Sequence, residues 1–240
     1  MGVLDVYRNQ RGKVRRYFRR KFRVPLLKLT PSSKLTPIEM FVRDGLNKKI
    51  FSSVEPSDVD QLLVFGGYKG DSIEGWLRLR SDAKVQTYEP VPEYASILRE
   101  RFTGANVTVH PFGLGGKSER REFSIMEDAT SGHHGITGGP NSGHRIIGVD
   151  FKSVKSGAKI WPKRIDVTEI NIEGGEYELI HHLAKEGLLS SLNHVFIQFH
   201  DIGPETDSHV SEARKQLEQT HSQVWNDALV WEYWKRRHAP

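Results

Sequence analysis

The chain has 240 residues, 35 Lys+Arg against 30 Asp+Glu, 37% apolar residues and no cysteine, which excludes disulfides, thiolate metal sites and cysteine nucleophiles. The composition is that of one globular domain with an appendage, and no apolar run approaches the roughly 18 to 20 residues of a membrane span.

The formal net charge is +5, but Arg8, Arg11, Lys13, Arg15, Arg16, Arg19, Arg20, Lys21 and Arg23 form a run without an acid, so the rest of the chain carries −4. Val14, Tyr17, Phe18 and Phe22 fall between these cations at helical spacing. Residues 1–29 are therefore read as a basic amphipathic segment. Such a segment suits an anionic membrane surface, at roughly 1 kcal/mol per cation near the lipid. The expected location is cytoplasmic, with peripheral contact at the inner face of the membrane through residues 8–23. A helix packed on the domain by its aromatic stripe, RNA contact and a transit peptide are the alternatives, the last because no acid lies between Asp5 and Glu39. Residues 30–37, TPSSKLTP, read as a linker, and 38–240 as the catalytic or binding domain.

After the linker, Ile38, Met40, Phe41, Val42 and Leu46 give a helical pattern over Pro37–Asn47, and Gln61–Phe65 is a continuous apolar run that ends in glycines. A helix follows through Ile73, Trp76, Leu77 and Leu79, then a strand through Val85 and Thr87. The alternation continues with a helix at 92–102 and a strand at Val107–His110. A long Gly-rich excursion covers 114–150. Then come a strand at Ile165–Ile172, a helix at 176–189, a strand at Val195–His200 and a helix at 208–220. Strands separated by helices predict a parallel sheet with helices on both faces. The closing SQVWNDALVWEYWKRR predicts two strands with Asn226 and Asp227 near their turn, an antiparallel hairpin at the sheet edge.

Gly66, Gly67 and Gly70 follow a strand and precede a helix, so the backbone turns tightly there and a ligand could approach it closely. Glu89 lies 23 residues after Gly66 at the end of the second strand, where a carboxylate can accept hydrogen bonds from both hydroxyls of a ribose. Pro90 and Pro92 then turn the chain into the next helix. A nicotinamide dinucleotide and S-adenosylmethionine both use such an arrangement, and the loop does not choose between them.

Five segments in this order and spacing resemble the FkbM family of S-adenosylmethionine-dependent methyltransferases: VFGGYKGDS, YEPVPE, VTVHPFGLGG, RIDVTEINIEGGEYELI and FIQFH. The similarity covers roughly residues 60–235. It implies an α/β fold, the Rossmann-like class I methyltransferase type with a seven-stranded, mostly parallel sheet. It also implies S-adenosylmethionine as methyl donor and O-methylation of a sugar, glycan or secondary-metabolite hydroxyl. By the same resemblance Gly66, Gly67, Tyr68 and Gly70 border the methionine half of the cofactor, Glu89 and Pro90 the ribose, and Phe112 and Gly113 the adenine. Asp71 could supply a carboxylate for the cofactor's amino group or cap the helix it begins, and Asn171 offers a carbonyl acceptor.

The chain departs from the family pattern at three places. Val64 stands where the family has an acid, Glu169 to Gly174 reads EINIEG for Lys-Ile-Asp-Val-Glu-Gly, and Gln198 precedes His200 where a Glu is usual. These motivate a second hypothesis, a methyltransferase-like protein that binds without transferring methyl. A nicotinamide-dependent oxidoreductase is a third, disfavoured by the glycine spacing. Nucleic-acid methylation is a fourth, disfavoured by the negative core and the lack of an aromatic-rich basic stripe.

Methyl transfer needs an acceptor oxygen held in line and relieved of its proton. Glu173 and His200, at the ends of the fourth and fifth strands of the doubly wound pattern, are the catalytic candidates. Each has a plain structural alternative, a turn carboxylate for Glu173 and a strand-end hydrogen bond for His200. Glu176, in a first helical turn, reads as a partner of the helix dipole. The segment 131–144 holds five glycines with His133, His134 and His144, and reads as a lid whose His133 and His134 touch substrate, or as a surface excursion. No metal site is indicated.

Overall fold

The structure, a computed structural model, describes residues 48–126, 129–131, 145–227 and 230–237. The basic segment, the linker, the helix expected over Pro37–Asn47 and the histidines of 131–144 lie outside the described residues. The chain divides after Ser52 into two units, and the described part of the first holds one helical turn, α1 (Lys48–Phe51).

The second unit is built on a seven-stranded sheet. Its strands are β1 (Gln61–Phe65), β2 (Lys84–Tyr88), β3 (Val107–His110), β8 (Ile165–Ile170), β9 (Leu192–Ile197), β10 (His221–Asp227) and β11 (Trp231–Arg236), in the order β10-β11-β9-β8-β1-β2-β3. The first five pair in parallel, whereas β11 runs antiparallel to β9 and β10 antiparallel to β11. Every residue of β8 is buried, as a central parallel strand covered on both faces requires. Chain order reverses beside β1, so the carboxyl ends of β1, β2 and β8 open onto a crevice there.

Four longer helices cover the sheet: α2 (Asp71–Leu79), α3 (Pro92–Arg101), α5 (Glu176–Lys185) and α6 (Thr206–Leu217). A single turn, α4 (Val154–Gly157), precedes β8. Leu179, Ile180 and Leu183 of α5 join Val210, Ala213 and Leu217 of α6 in a core with Leu63, Phe65, Ile170 and Val195 of the sheet. Because side chains alternate along a strand, Leu62 and Val64 take the other face. The spacing of Ile73 and Trp76 buries the matching stripe of α2, and both are fully buried.

The segment expected as a Gly-rich excursion is largely a second sheet. β4 (Gly113–Gly115), β5 (Glu119–Met126), β6 (Ala129–Ser131) and β7 (Arg145–Ser153) form four strands in the order β4-β7-β5-β6. The pairing Arg121↔Val149 and Phe123↔Ile147 puts Arg121, Phe123, Ile147, Val149 and Phe151 on one face by two-residue alternation, while Ile146 on the other is 68% exposed. Among the described residues no helix is long and apolar enough to cross a membrane.

Candidate functional site

The turn after β1 is dictated by packing. Gly66 (φ +88°) and Gly70 (φ +90°) hold left-handed conformations, and a Cβ on Gly66 would lie 2.0 Å from the Asn171 carbonyl oxygen. A Cβ on Gly67 would meet Thr87 Oγ1 at 2.4 Å, and one on Gly70 the Phe102 ring at 2.6 Å. The glycines thus draw the loop onto β2, α3 and the end of β8, and their missing side chains are replaced by the protein's own atoms. Tyr68, also left-handed (φ +45°), turns its backbone N–H toward the end of β2.

Glu89 receives it. This carboxylate is 4% exposed, with Oε2 accepting from Tyr68 N at 2.8 Å and Oε1 from Val91 N at 2.9 Å. Burial pushes its pKa up to about 7, against the lowering effect of the Val91 and Tyr68 N–H groups. A carboxylate poised near neutrality in a crevice is a functional candidate on physical grounds.

Gly66, Tyr68, Glu89, Pro90, Gly113, Asn171 and Glu173 all line one cleft of about 450 Å³, a size suited to a small cofactor or ligand. The sequence therefore brings these seven together. Phe65, Tyr88, Leu114 and Ile172 line it from the core, and Arg121, Phe123 and Phe151 from the second sheet. Asn171 Oδ1 is buried and has no hydrogen-bond partner among the described residues.

Other expected residues lie elsewhere. Gly67 and Gly70 shape the loop from behind. Asp71 is 83% exposed and pairs with Arg101 at 2.7 Å, while the helix N-cap is Gly70, without a side-chain capping bond. Phe112 is buried in the core, edge-on to Tyr88 at 5.7 Å, with Lys152 Nζ 4.0 Å above its ring. His133 and His134 fall outside the described residues.

Two departures from the family pattern become one in three dimensions. Val64 (1% exposed) is the register partner of Glu169, so the positions of the family's acid and lysine are neighbours on the α2 face. Here Val64 is apolar, and Glu169 accepts from Trp76 Nε1 at 2.7 Å and from Ser72 Oγ. Burial raises the Glu169 pKa, against those two bonds. Neither residue lines the cleft. Glu169 thus ties α2 to the sheet.

At the end of β8, Glu173 adopts φ +52°, and its Oε1 lies 3.5 Å from His200 Nε2. On the other side, His200 Nδ1 lies 3.2 Å from Oε1 of Glu176. Burial alone would lower the His200 pKa, but the Glu176 charge and the bonds to Glu173 and Glu176 outweigh it and raise it to about 10. His200 is outside the cleft lining. Of the two catalytic candidates, Glu173 is the one that lines the cleft.

Two features escaped sequence reasoning. Arg121 crosses from β5 to Glu178 of α5 with bonds of 2.6 and 2.7 Å, reaches Glu119 at 2.8 Å and stacks its guanidinium 4.2 Å from the Phe151 ring centroid. The alternation Arg121, Phe123, Ile125 was the available signal, masked by the surrounding glycines. Glu176, read as a dipole partner, is fully buried and accepts from Gly174 N at 2.8 Å and His200 N at 2.6 Å. Among the described residues no group of three or more His, Asp or Glu side chains could hold a metal ion.

No protein-family model and no curated protein matches the sequence. Solved structures do. A Clostridium thermocellum protein described as an rRNA methylase matches at TM-score 0.51 and 10% identity, over 80% of this chain and 96% of that one. A methyltransferase FkbM from Methylobacillus flagellatus matches at TM-score 0.47 and 14% identity, over 88% of this chain, which spans 57% of that one's length. An S-adenosylhomocysteine-bound methyltransferase from Podospora anserina matches at TM-score 0.49 and 11% identity, over 80% and 78%. With the strand order β10-β11-β9-β8-β1-β2-β3 and its antiparallel end, the chain has the Rossmann-like methyltransferase fold.

Proposed function

We propose that the chain is an S-adenosylmethionine-dependent methyltransferase of the FkbM kind, acting on a hydroxyl of a glycan or secondary metabolite. The observation that carries this is Glu89. Its carboxylate ends β2, is held by two backbone N–H groups and lines the cleft, so its remaining lone pairs suit the two hydroxyls of a ribose. The unpartnered Asn171 Oδ1 supplies a second acceptor, fitting the cofactor's amino group, and Gly113 beside the rings of Tyr88 and Phe151 supplies a flat wall for adenine.

When bound, S-adenosylmethionine supplies an electrophilic methyl on sulfur, whose transfer to a hydroxyl leaves a thioether and one proton. Glu173 lines the same cleft and is the group placed to receive that proton. Arg121, held by Glu178 and Glu119, braces the second sheet against α5 and lines the cleft.

Thermal unfolding with S-adenosylmethionine, S-adenosylhomocysteine and NAD tests the reading. A ligand at 100 times its Kd adds about 2.7 kcal/mol to the folded state. Stabilisation by the two adenosyl ligands alone is expected, and stabilisation by NAD instead would overturn it. Binding of the adenosyl ligands without turnover on any hydroxyl acceptor would point to the non-transferring alternative.

A further inference from the structure

Behind Glu173, outside the cleft lining, stands a pair of side chains that the proposed reaction does not itself use. Glu176 is fully buried at the first turn of α5, and both its oxygens are engaged: Oε2 by Gly174 N, Oε1 by His200 N and Nδ1. The His200 carbonyl is fixed in turn by Tyr177 OH, which donates to it at 2.5 Å. His200 Nε2 then reaches Glu173 Oε1 at 3.5 Å.

Geometry decides the protonation state of the ring. A neutral imidazole has one N–H and one lone pair, so it would set that lone pair against one of the two carboxylates that flank it. Only the doubly protonated ring offers a donor to each, and a fully buried Glu176 needs such a counter-charge because an uncompensated buried carboxylate is costly. Glu173 in turn holds a left-handed backbone, uncommon for a non-glycine residue, and such a conformation persists only where its surroundings over-determine it. The groups facing the ring are Glu173 from the β8 turn and Glu176 from α5, both of which favour a positive ring, while Tyr177 of α5 binds the His200 carbonyl instead.

We propose that Glu176 and His200 are positioning residues: Glu176 fixes His200 as an imidazolium, and that cation aims the Glu173 carboxylate at the acceptor side of the cleft. His200 is thereby removed from the role of base. The charge pair stands on geometry alone; the aiming of Glu173 at an acceptor rests on the methyl-transfer reading. The raised His200 pKa agrees with the arrangement.

The test is nitrogen-15 NMR of the histidine side chains of the full chain without ligand, with methyl transfer to a hydroxyl acceptor measured alongside. In the wild type both ring nitrogens of His200 should be protonated at pH 7.5, with a midpoint at least about two units above the ordinary histidine value. Glu176→Gln should lower that midpoint by about one unit or more, a tenfold change in proton affinity, and reduce kcat at least tenfold while leaving adenosyl-ligand affinity within about threefold. If Glu176→Gln fails to fold, Glu173→Gln and the wild-type titration still decide, because Glu173→Gln should also lower the midpoint. A wild-type His200 titrating at or below about pH 7 would overturn the proposal, as would full kcat in Glu176→Gln with its His200 midpoint lowered. Failure of the wild type to bind S-adenosylmethionine would instead remove the methyl-transfer reading and leave the titration to judge the charge pair.

Discussion

At the β2 end of the cleft Glu89 is held by two backbone N–H groups, whereas at the β8 end Glu173 faces a charged ring that a second, fully buried carboxylate holds in place. Both ends use the same fold device, a sharp turn at the carboxyl end of a parallel strand. They differ in where the cost of burial appears. Amide dipoles offset only part of the desolvation of Glu89, and its own pKa rises to about 7. At the other end the shift falls on His200, raised to about 10 by its two acids. A carboxylate held by two backbone N–H groups keeps lone pairs free for a ligand's donors; a carboxylate set against a fixed cation is kept ionised and oriented.

The largest disruption should come from Gly66, which touches both ends. Its absent Cβ leaves room for the Asn171 carbonyl, two residues before Glu173, and its left-handed backbone carries the chain to Tyr68, whose N–H holds Glu89. Gly66→Ala should cost at least about 3 kcal/mol in denaturant unfolding, a backbone clash at 2.0 Å added to a strained φ. A loss below about 1 kcal/mol would mean that the two ends are not tied through this turn.

Next in size is the pH response of the β8 end. His200 has its pKa raised in the fold, so its contribution is complete below the unfolded value of 6.5 and is lost as pH rises through about 10. Unfolding free energy should fall by a few kcal/mol between about pH 7 and 10.5, and Glu176→Gln should flatten that limb. The β10 edge supplies a contrast in the acid direction. There His221 is buried neutral, Nδ1 beside Thr220 Oγ1 at 2.7 Å and Nε2 beside Leu192 O at 3.0 Å. Burial lowers its pKa to about 4, so its contribution is present above 6.5 and is lost as pH falls through about 4. His221→Gln should remove part of the acid loss and leave the alkaline limb alone.

At the β2 end the expected effect is on binding. A hydrogen bond to a charged group is worth roughly 1.5 to 3 kcal/mol, so Glu89→Gln should weaken adenosyl-ligand affinity about tenfold to a hundredfold in a calorimetric titration. Wild-type affinity should climb about fivefold to tenfold from pH 6 to 8 as Glu89 ionises with a midpoint of about 7, and the Gln variant should lose that slope. A pH-independent wild type would separate Glu89 from the ligand.

The two ends were unequally legible in the sequence. The place of Glu89 in the cleft was legible because it follows from order along the chain: a strand, a glycine turn, a helix, a second strand and then an acid. The doubly wound sheet was legible for the same reason, since continuous apolar runs such as Leu62 to Phe65 mark central strands. The β8 end was half legible. Glu173 and His200 were singled out from strand ends, but the buried role of Glu176 depends on β9 bringing His200 beside the first turn of α5, a contact 24 residues apart that no local period announces. The second sheet was missed because glycines in and around it outweighed a two-residue alternation in Arg121, Phe123 and Ile125, although that alternation builds a whole wall of the cleft.

The smallest expected effect sharpens the comparison by marking where the β2 end stops. Asp71 is five residues beyond Gly66 and looked able to hold a ligand amine, yet it points to solvent and shares the Arg101 guanidinium with Glu74. Exposed ion pairs of this kind contribute roughly 0 to 1 kcal/mol, and Arg101 keeps its Glu74 partner when Asp71 is changed. Asp71→Asn should therefore leave adenosyl-ligand affinity within about twofold and unfolding free energy within about 0.5 kcal/mol. A tenfold loss of affinity would instead carry the site around the loop to the start of α2, and Asn171 would no longer be needed as the acceptor for the cofactor's amino group.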